Sequence, residues 1–159
     1  MTELVEVGIG EMKLAKAPIK LITRNLGSCV GVVLYDCFNK LGVLIHVKLP
    51  TAEGVKNRAS SASYAELAIP LAVSELQKEG TRAGLLVAKI VGGSSMFPVK
   101  DPNLMIGRNN LNTIKRILRE LNIKIVGEHT GGTHSRTMEF DSQTGKVRLR
   151  LDNGREEFL

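Results

Sequence analysis

The 159-residue chain has no tryptophan, and tyrosine and phenylalanine bring aromatics to only 4%. Aromatic surfaces on which nucleic-acid bases stack are scarce, and no nucleic-acid motif is present. The net charge of +6 is spread along the chain. Its densest stretch, KRILRE from Lys115 to Glu120, includes an acid and keeps a helical rhythm, so it reads as a solvated helix face. Nucleic acid is not expected as a partner. Two cysteines do not make a disulfide framework, and Cys29 and Cys37 are expected as free thiols in a reducing compartment. No apolar run approaches the roughly 20 residues of a membrane span, and MTELVEVGIGEMKLAKAPIK lacks a signal-peptide layout. The expectation is a cytoplasmic protein without membrane insertion, folded as a single domain over 1–159. Repeats, linkers and low-complexity tracts are lacking as well.

What is present is mostly strand. ELVEVGIGEMKLAK alternates as an opening strand with a turn at Gly8 and Gly10, and IKLITRNL follows as a second strand, broken by the glycine of LGSC. VGVVLYD and LGVLIHVKL are continuous apolar runs of strand length, expected to be buried on both faces, with DCFNK as the hairpin loop between them. LPTAEGVKNRASS reads as a loop. SASYAELAIPLAVSELQKEG reads as a helix capped by Ser61 or Ser63 and ended by Gly80, with Pro70 kinking or splitting it. GLLVAKIVGGSSMF is a strand running into a turn, and PVKDPNLM is a loop. IGRNNLNTIKRILRELN is a second helix whose stripe is Ile114, Ile117, Leu118 and Leu121. IKIVGEHT is a strand, GGTHS a turn, and RTMEFD and KVRLRLD a terminal hairpin around SQTG. Strands with two separately inserted helices indicate an α+β domain rather than a regular βαβ array.

Three strand ends finish in small residues: NLGSC, IVGGSSMF and HTGGTHS. Glycine there permits a sharp bend or a close approach. The hairpin around DCFNK is more informative. With its loop centred near Phe38, paired positions sum to about 75–77, and for an odd sum Cys29 and His46 share a face as direct or diagonal neighbours. Gly31 then lies beside them with no side chain in the way. Two readings of each residue stand. Cys29 is either a buried space-filler or a nucleophile, and His46 is either a satisfied core histidine or its base. In the catalytic reading the imidazole takes the thiol proton and the resulting ion pair lowers the thiol pKa. A third group fixes the ring's tautomer, and Thr23 can supply that hydroxyl, though on the residues alone an ordinary strand threonine is the stronger reading. Backbone groups near Gly27, Ser28 and Val30 are candidates for holding an oxyanion, and Gly92, Gly93 and Ser94 for lining the same cleft. Cys37, in a loop, is expected to be structural or incidental. His129 and His134 flank TGG but match no zinc spacing, and VGGSSM lacks the ending and the following helix of a phosphate loop. No metal or cofactor is expected.

The blocks LGSCVGVVLYD, HVKLP, GGSSMF, IGRNN and TGGTHSRTMEF, in this order and across most of the chain, resemble the chemoreceptor glutamine deamidase family, CheD. The resemblance implies hydrolysis of glutamine side-chain amides on chemotaxis receptors to glutamate and ammonia. It assigns the cysteine of GSC to Cys29, the histidine opening HxxLP to His46, and the threonine six residues before the cysteine to Thr23. It also implies mixed β-sheets in a sandwich-like core flanked by two long helices, similar to bacterial toxin deamidases, and a CheC-type phosphatase as a partner besides the receptors. Two departures stand out: His134 and Ser135 before Arg136, where a small residue is expected, and Pro70 in the first helix. The alternatives are a non-catalytic adaptor binding the phosphatase and receptors, and a thiol-dependent receptor methylesterase.

Overall fold

A computed structural model describes residues 3–53, 60–97, 100–101 and 104–159. The predicted loops LPTAEGVKNRASS and PVKDPNLM lie partly outside the described residues. In chain order the elements are β1 (Leu4–Glu6), β2 (Met12–Lys16), β3 (Lys20–Leu26), β4 (Val30–Asp36), β5 (Leu41–Val47), α1 (Ala65–Lys78), β6 (Val87–Gly92), α2 (Ile106–Glu120), β7 (Lys124–Thr130), β8 (Arg136–Asp141), β9 (Val147–Leu151) and β10 (Glu156–Phe158). They form two mixed five-stranded sheets, one in the order β2-β5-β4-β6-β7 and one in the order β1-β3-β8-β9-β10. The fold is α+β.

The first of these, the central sheet, is covered on both faces, which is why β4 and β5 are apolar without alternation. On one side Val32, Leu34, Val43 and Ile45 pack against Ala68, Ile69 and Ala72 of α1 and Ile114 and Leu118 of α2. On the other, Val33, Tyr35 and Leu44 pack against Leu21, Met138, Phe140 and Leu149 of the outer sheet. Tyr35 and Phe140 meet edge to face across this layer at 5.4 Å between ring centroids. The outer sheet turns its other face to solvent, and β8 and β9 alternate accordingly.

Several expectations need refinement. The opening segment splits into β1 and β2, which belong to different sheets. The first helix has Tyr64 at its N-terminal boundary and no side-chain cap from Ser61 or Ser63, which lie in a short 3₁₀ turn before it. Its far end closes as expected at Gly80, through Gly80 N–H to Gln77 O and Thr81 N–H to Leu76 O, the paired bonds of a Schellman motif. Pro70 lies inside α1 on its exposed side, where the Glu66 carbonyl it leaves without a partner remains near water. A tenth strand, β10, extends beyond the predicted terminal hairpin and pairs with β9.

The β4–β5 turn is built on Asp36. Its carboxylate accepts from the N–H groups of Phe38 and Asn39 at 3.0 and 3.1 Å, from Asn39 Nδ2 at 2.7 Å and from Thr81 Oγ1 at 2.9 Å. These bonds hold its pKa low against a burial that pushes upward. The turn fixes the register: Gly31 pairs with His46 and Val30 with Val47, so paired numbers sum to 77.

Candidate active site

That odd sum puts Cys29, Gly31 and His46 on one face, with Cys29 a diagonal neighbour of His46 one step beyond the β4 ladder. The face points to the outer sheet. A Cβ on Gly31 would lie 2.3 Å from Met138 Sδ and 3.6 Å from Thr23 Cγ2, so glycine is needed for the two sheets to close there. Thr23 ends the regular part of β3. The register with β8 shifts between Thr23 and Leu26, a bulge with Asn25 at φ 59°. The bulge returns both Thr23 and Leu26 to the buried face, with Arg24 and Asn25 outside.

Thr23 and His46 are each 0% exposed, and Thr23 Oγ1 lies 2.7 Å from His46 Nδ1. The tautomer follows from counting protons. The single hydroxyl hydrogen of Thr23 is donated to Val7 O at 2.7 Å, since a carbonyl only accepts. Toward His46 the hydroxyl is therefore the acceptor, and Nδ1 carries the ring proton. Nε2 is left with its lone pair, and it has no hydrogen-bond partner among the described residues. Burial lowers the His46 pKa from 6.5 to about 4, so the ring is neutral at physiological pH and available as a base.

Cys29 is a half-buried free thiol on the same face as this ring, diagonal to it in the register. Burial raises its pKa, with Lys48 and its own backbone N–H pulling the other way. The expected resting ion pair is thus not what this environment favours. Burial penalises the charged forms of both groups, so the pair rests as thiol and neutral imidazole. Cys37 is exposed in the β4–β5 turn.

The bend carrying Cys29 is held by three consecutive carbonyls. Gly27 O accepts from Ser94 N–H at 2.8 Å and Cys29 O from Gly93 N–H at 2.9 Å. Ser28 O accepts from Asn110 Nδ2 at 3.0 Å, and the same nitrogen reaches Lys48 O at 3.0 Å. Asn110 thus joins the strand ends that bear Cys29 and His46. A Cβ on Gly92 would lie 2.4 Å from Cys29 O, and its φ is 116°, so only glycine fits there.

These bonds sort the oxyanion candidates. The N–H groups of Gly27, Gly93 and Ser94 are already engaged, with Asn25 O, Cys29 O and Gly27 O, and shape the bend instead. Gly92 closes β6, and Val30 opens β4 with its side chain in the helix-facing core. Because a trans peptide sets C=O and N–H on opposite sides, fixing Gly27 O and Ser28 O turns the N–H groups of Ser28 and Cys29 away from Ser94 and Asn110. Neither donates to a backbone carbonyl among the described residues. These two are the donors the geometry leaves.

Asn110 was not singled out by the sequence, although the signal was there: it precedes Ile114 by four residues on the buried stripe of α2 and is itself 0% exposed. His129 and His134 take separate partners. Each faces a carboxylate at 2.6 Å, Glu157 and Asp152 respectively. Asp152 also accepts from Ser135 N–H at 3.2 Å, which anchors the THSR departure locally.

The model of the family described as CheD chemotactic sensory transduction matches residues 48–151. The chain belongs to the CheD family. Over 149 residues it is 45% identical to the probable chemoreceptor glutamine deamidase CheD of Moorella thermoacetica, covering 92% of this chain and 89% of that one. It is 40% identical to the protein of the same name from Syntrophomonas wolfei, covering 92% of each. Among solved structures, hypothetical protein YfiH of Bacillus licheniformis is similar in fold, with a TM-score of 0.52 at 16% identity over 77% of this chain and 51% of that chain. The stretch matched by the CheD family model begins just after His46.

Proposed function

We propose that this CheD-family chain is a protein-glutamine deamidase, converting selected glutamine side chains on chemotaxis receptors to glutamate with release of ammonia. The observation that carries the reading is the hydrogen-bond chain from His46 Nδ1 through Thr23 to Val7 O. It commits the ring proton away from Cys29 and leaves Nε2 as the base. The names of the relatives supply the substrate class.

In the proposed cycle His46 Nε2 takes the thiol proton as Cys29 Sγ attacks the carboxamide carbon, so charge forms only when substrate is present. The tetrahedral oxyanion is held by the N–H groups of Ser28 and Cys29. The imidazolium gives its proton to the leaving nitrogen, and ammonia departs from a thioester. Water, deprotonated by the same ring, then releases the glutamate. Thr23 orients the ring and is a positioning residue. Met96 and Phe97, 47% and 76% exposed, follow Gly92–Ser95, and Met96 Sδ would lie 3.0 Å from a Cβ on Gly27. They form an apolar rim suited to a receptor helix.

The two sheets share one core layer, which supports reading 1–159 as one deamidase domain. Among the described residues no helix is long and apolar enough to cross a membrane. We place its action in the cytoplasm, with a CheC-type phosphatase as a further partner. The test is mass spectrometry of a receptor fragment after incubation. Deamidation adds about one dalton at a glutamine, and the addition vanishes with Cys29→Ala. Methanol release from a methylated fragment, without ammonia release, would instead identify an esterase, and binding without either product would identify an adaptor.

A further inference from the structure

Arg136 opens β8 at an inward-facing position and is 4% exposed. A buried guanidinium requires its donors to be placed, and each of its three nitrogens has a partner. Nε donates to His129 Nδ1 at 2.9 Å, Nη2 to Gly131 O at 2.7 Å and Nη1 to Gly92 O at 3.3 Å. Arginine has no acceptor, so His129 Nδ1 is unprotonated and its proton sits on Nε2, 2.6 Å from Glu157 Oε2. Glu157 orients His129, and His129 orients Arg136.

The far end of this chain is one peptide unit. Gly92 C=O and Gly93 N–H belong to the same plane. The oxygen accepts from Arg136 and from Gly131 N–H at 2.9 Å, and the nitrogen donates to Cys29 O at 2.9 Å. Gly92 has no Cβ, so nothing but backbone separates the guanidinium's anchor from the nucleophile's own carbonyl.

We propose that Arg136, held by His129 and Glu157, is a positioning residue for Cys29, fixing the Gly92–Gly93 peptide whose N–H sets the nucleophile's backbone. The role rests on the deamidase reading for its catalytic consequence. It is geometric: the neighbouring side-chain charge acting on Cys29 is that of Lys48. The fork is required rather than the charge, since lysine cannot reach two carbonyls and an imidazole from one plane.

The test uses the full chain and a receptor fragment. Arg136→Lys is expected to lower kcat by about 10- to 100-fold with KM within about twofold, while remaining folded at the assay temperature. His129→Leu is expected to lose activity similarly, and His129→Asn, which keeps an acceptor at the Nδ1 position, to recover part of it. Amide hydrogen exchange gives a readout that needs no turnover: the Gly93 N–H should exchange at least about tenfold faster in Arg136→Lys, with amides of the middle of β4 unchanged. Wild-type kcat in Arg136→Lys, a loss matching only the unfolded fraction, or unchanged Gly93 exchange overturns the proposal. If the wild type releases no ammonia, the deamidase reading fails, and Gly93 exchange alone decides whether the brace exists.

Discussion

The two sheets differ in what a polar side chain costs. In the central sheet both faces are covered, so an imidazole at position 46 must be satisfied or used. In the outer sheet half of each strand faces water, and Arg148 and Glu139 pair there at 3.0 Å with little consequence for the core. The proposed chemistry lies where polarity is expensive. His46 sits in the doubly covered sheet with Nε2 unmatched among the described residues, and the outer sheet contributes the hydroxyl of Thr23 that sets its tautomer.

The sharpest way to break this division is Cys29→Ala. It should reduce ammonia release by about 10⁴-fold or more while leaving the melting transition nearly in place, measured on the same preparation. His46→Gln should come next, at about 10³-fold in kcat, because it removes the base and leaves the sulfur. Thr23→Val tests the link between the sheets. It orphans His46 Nδ1–H and removes the donor to Val7 O, so stability should fall by about 1–3 kcal/mol in urea titrations and kcat by about tenfold, with Thr23→Ser recovering both.

A pH series sharpens the comparison further. The folded His46 ring has a pKa of about 4 against 6.5 for the free group. Between those values the unfolded chain binds a proton that the folded one refuses. The contribution is complete above about pH 6.5 and is lost as pH falls toward 4, amounting to about 3 kcal/mol. His46→Gln should flatten that part of the stability curve. The smallest effect is expected on the solvent face of the outer sheet, where Arg148→Ala should change stability by no more than about 1 kcal/mol and leave kcat alone.

The central hairpin was legible because two apolar runs without alternation bounded a polar turn, which narrowed the pairing to sums of about 75–77; the folded turn selects 77, the odd register that puts Cys29 and His46 on one face. The assignment of strands to two sheets was not, since β1 and β2 read as one alternating segment and pairing is a non-local property. β10 escaped because EEF carries no apolar alternation and is placed by pairing with β9. Thr23 was assigned through the family resemblance rather than from the residues alone, and its proton could be assigned only once Val7 O was seen beside it. Asn110 and Arg136 share a signal that went unread. Each is a polar residue at an inward position of an otherwise apolar pattern, as Thr23 and His46 are, and such positions are occupied only when hydrogen bonds compensate burial.

The imidazole is sealed, 0% exposed, and the half-buried Cys29 is its diagonal neighbour on the same face. In the proposed cycle this makes traffic single-file. Ammonia must clear the sulfur's side of the ring before a water molecule can take its place there, and a small amine arriving first would be coupled to the receptor in the water's stead.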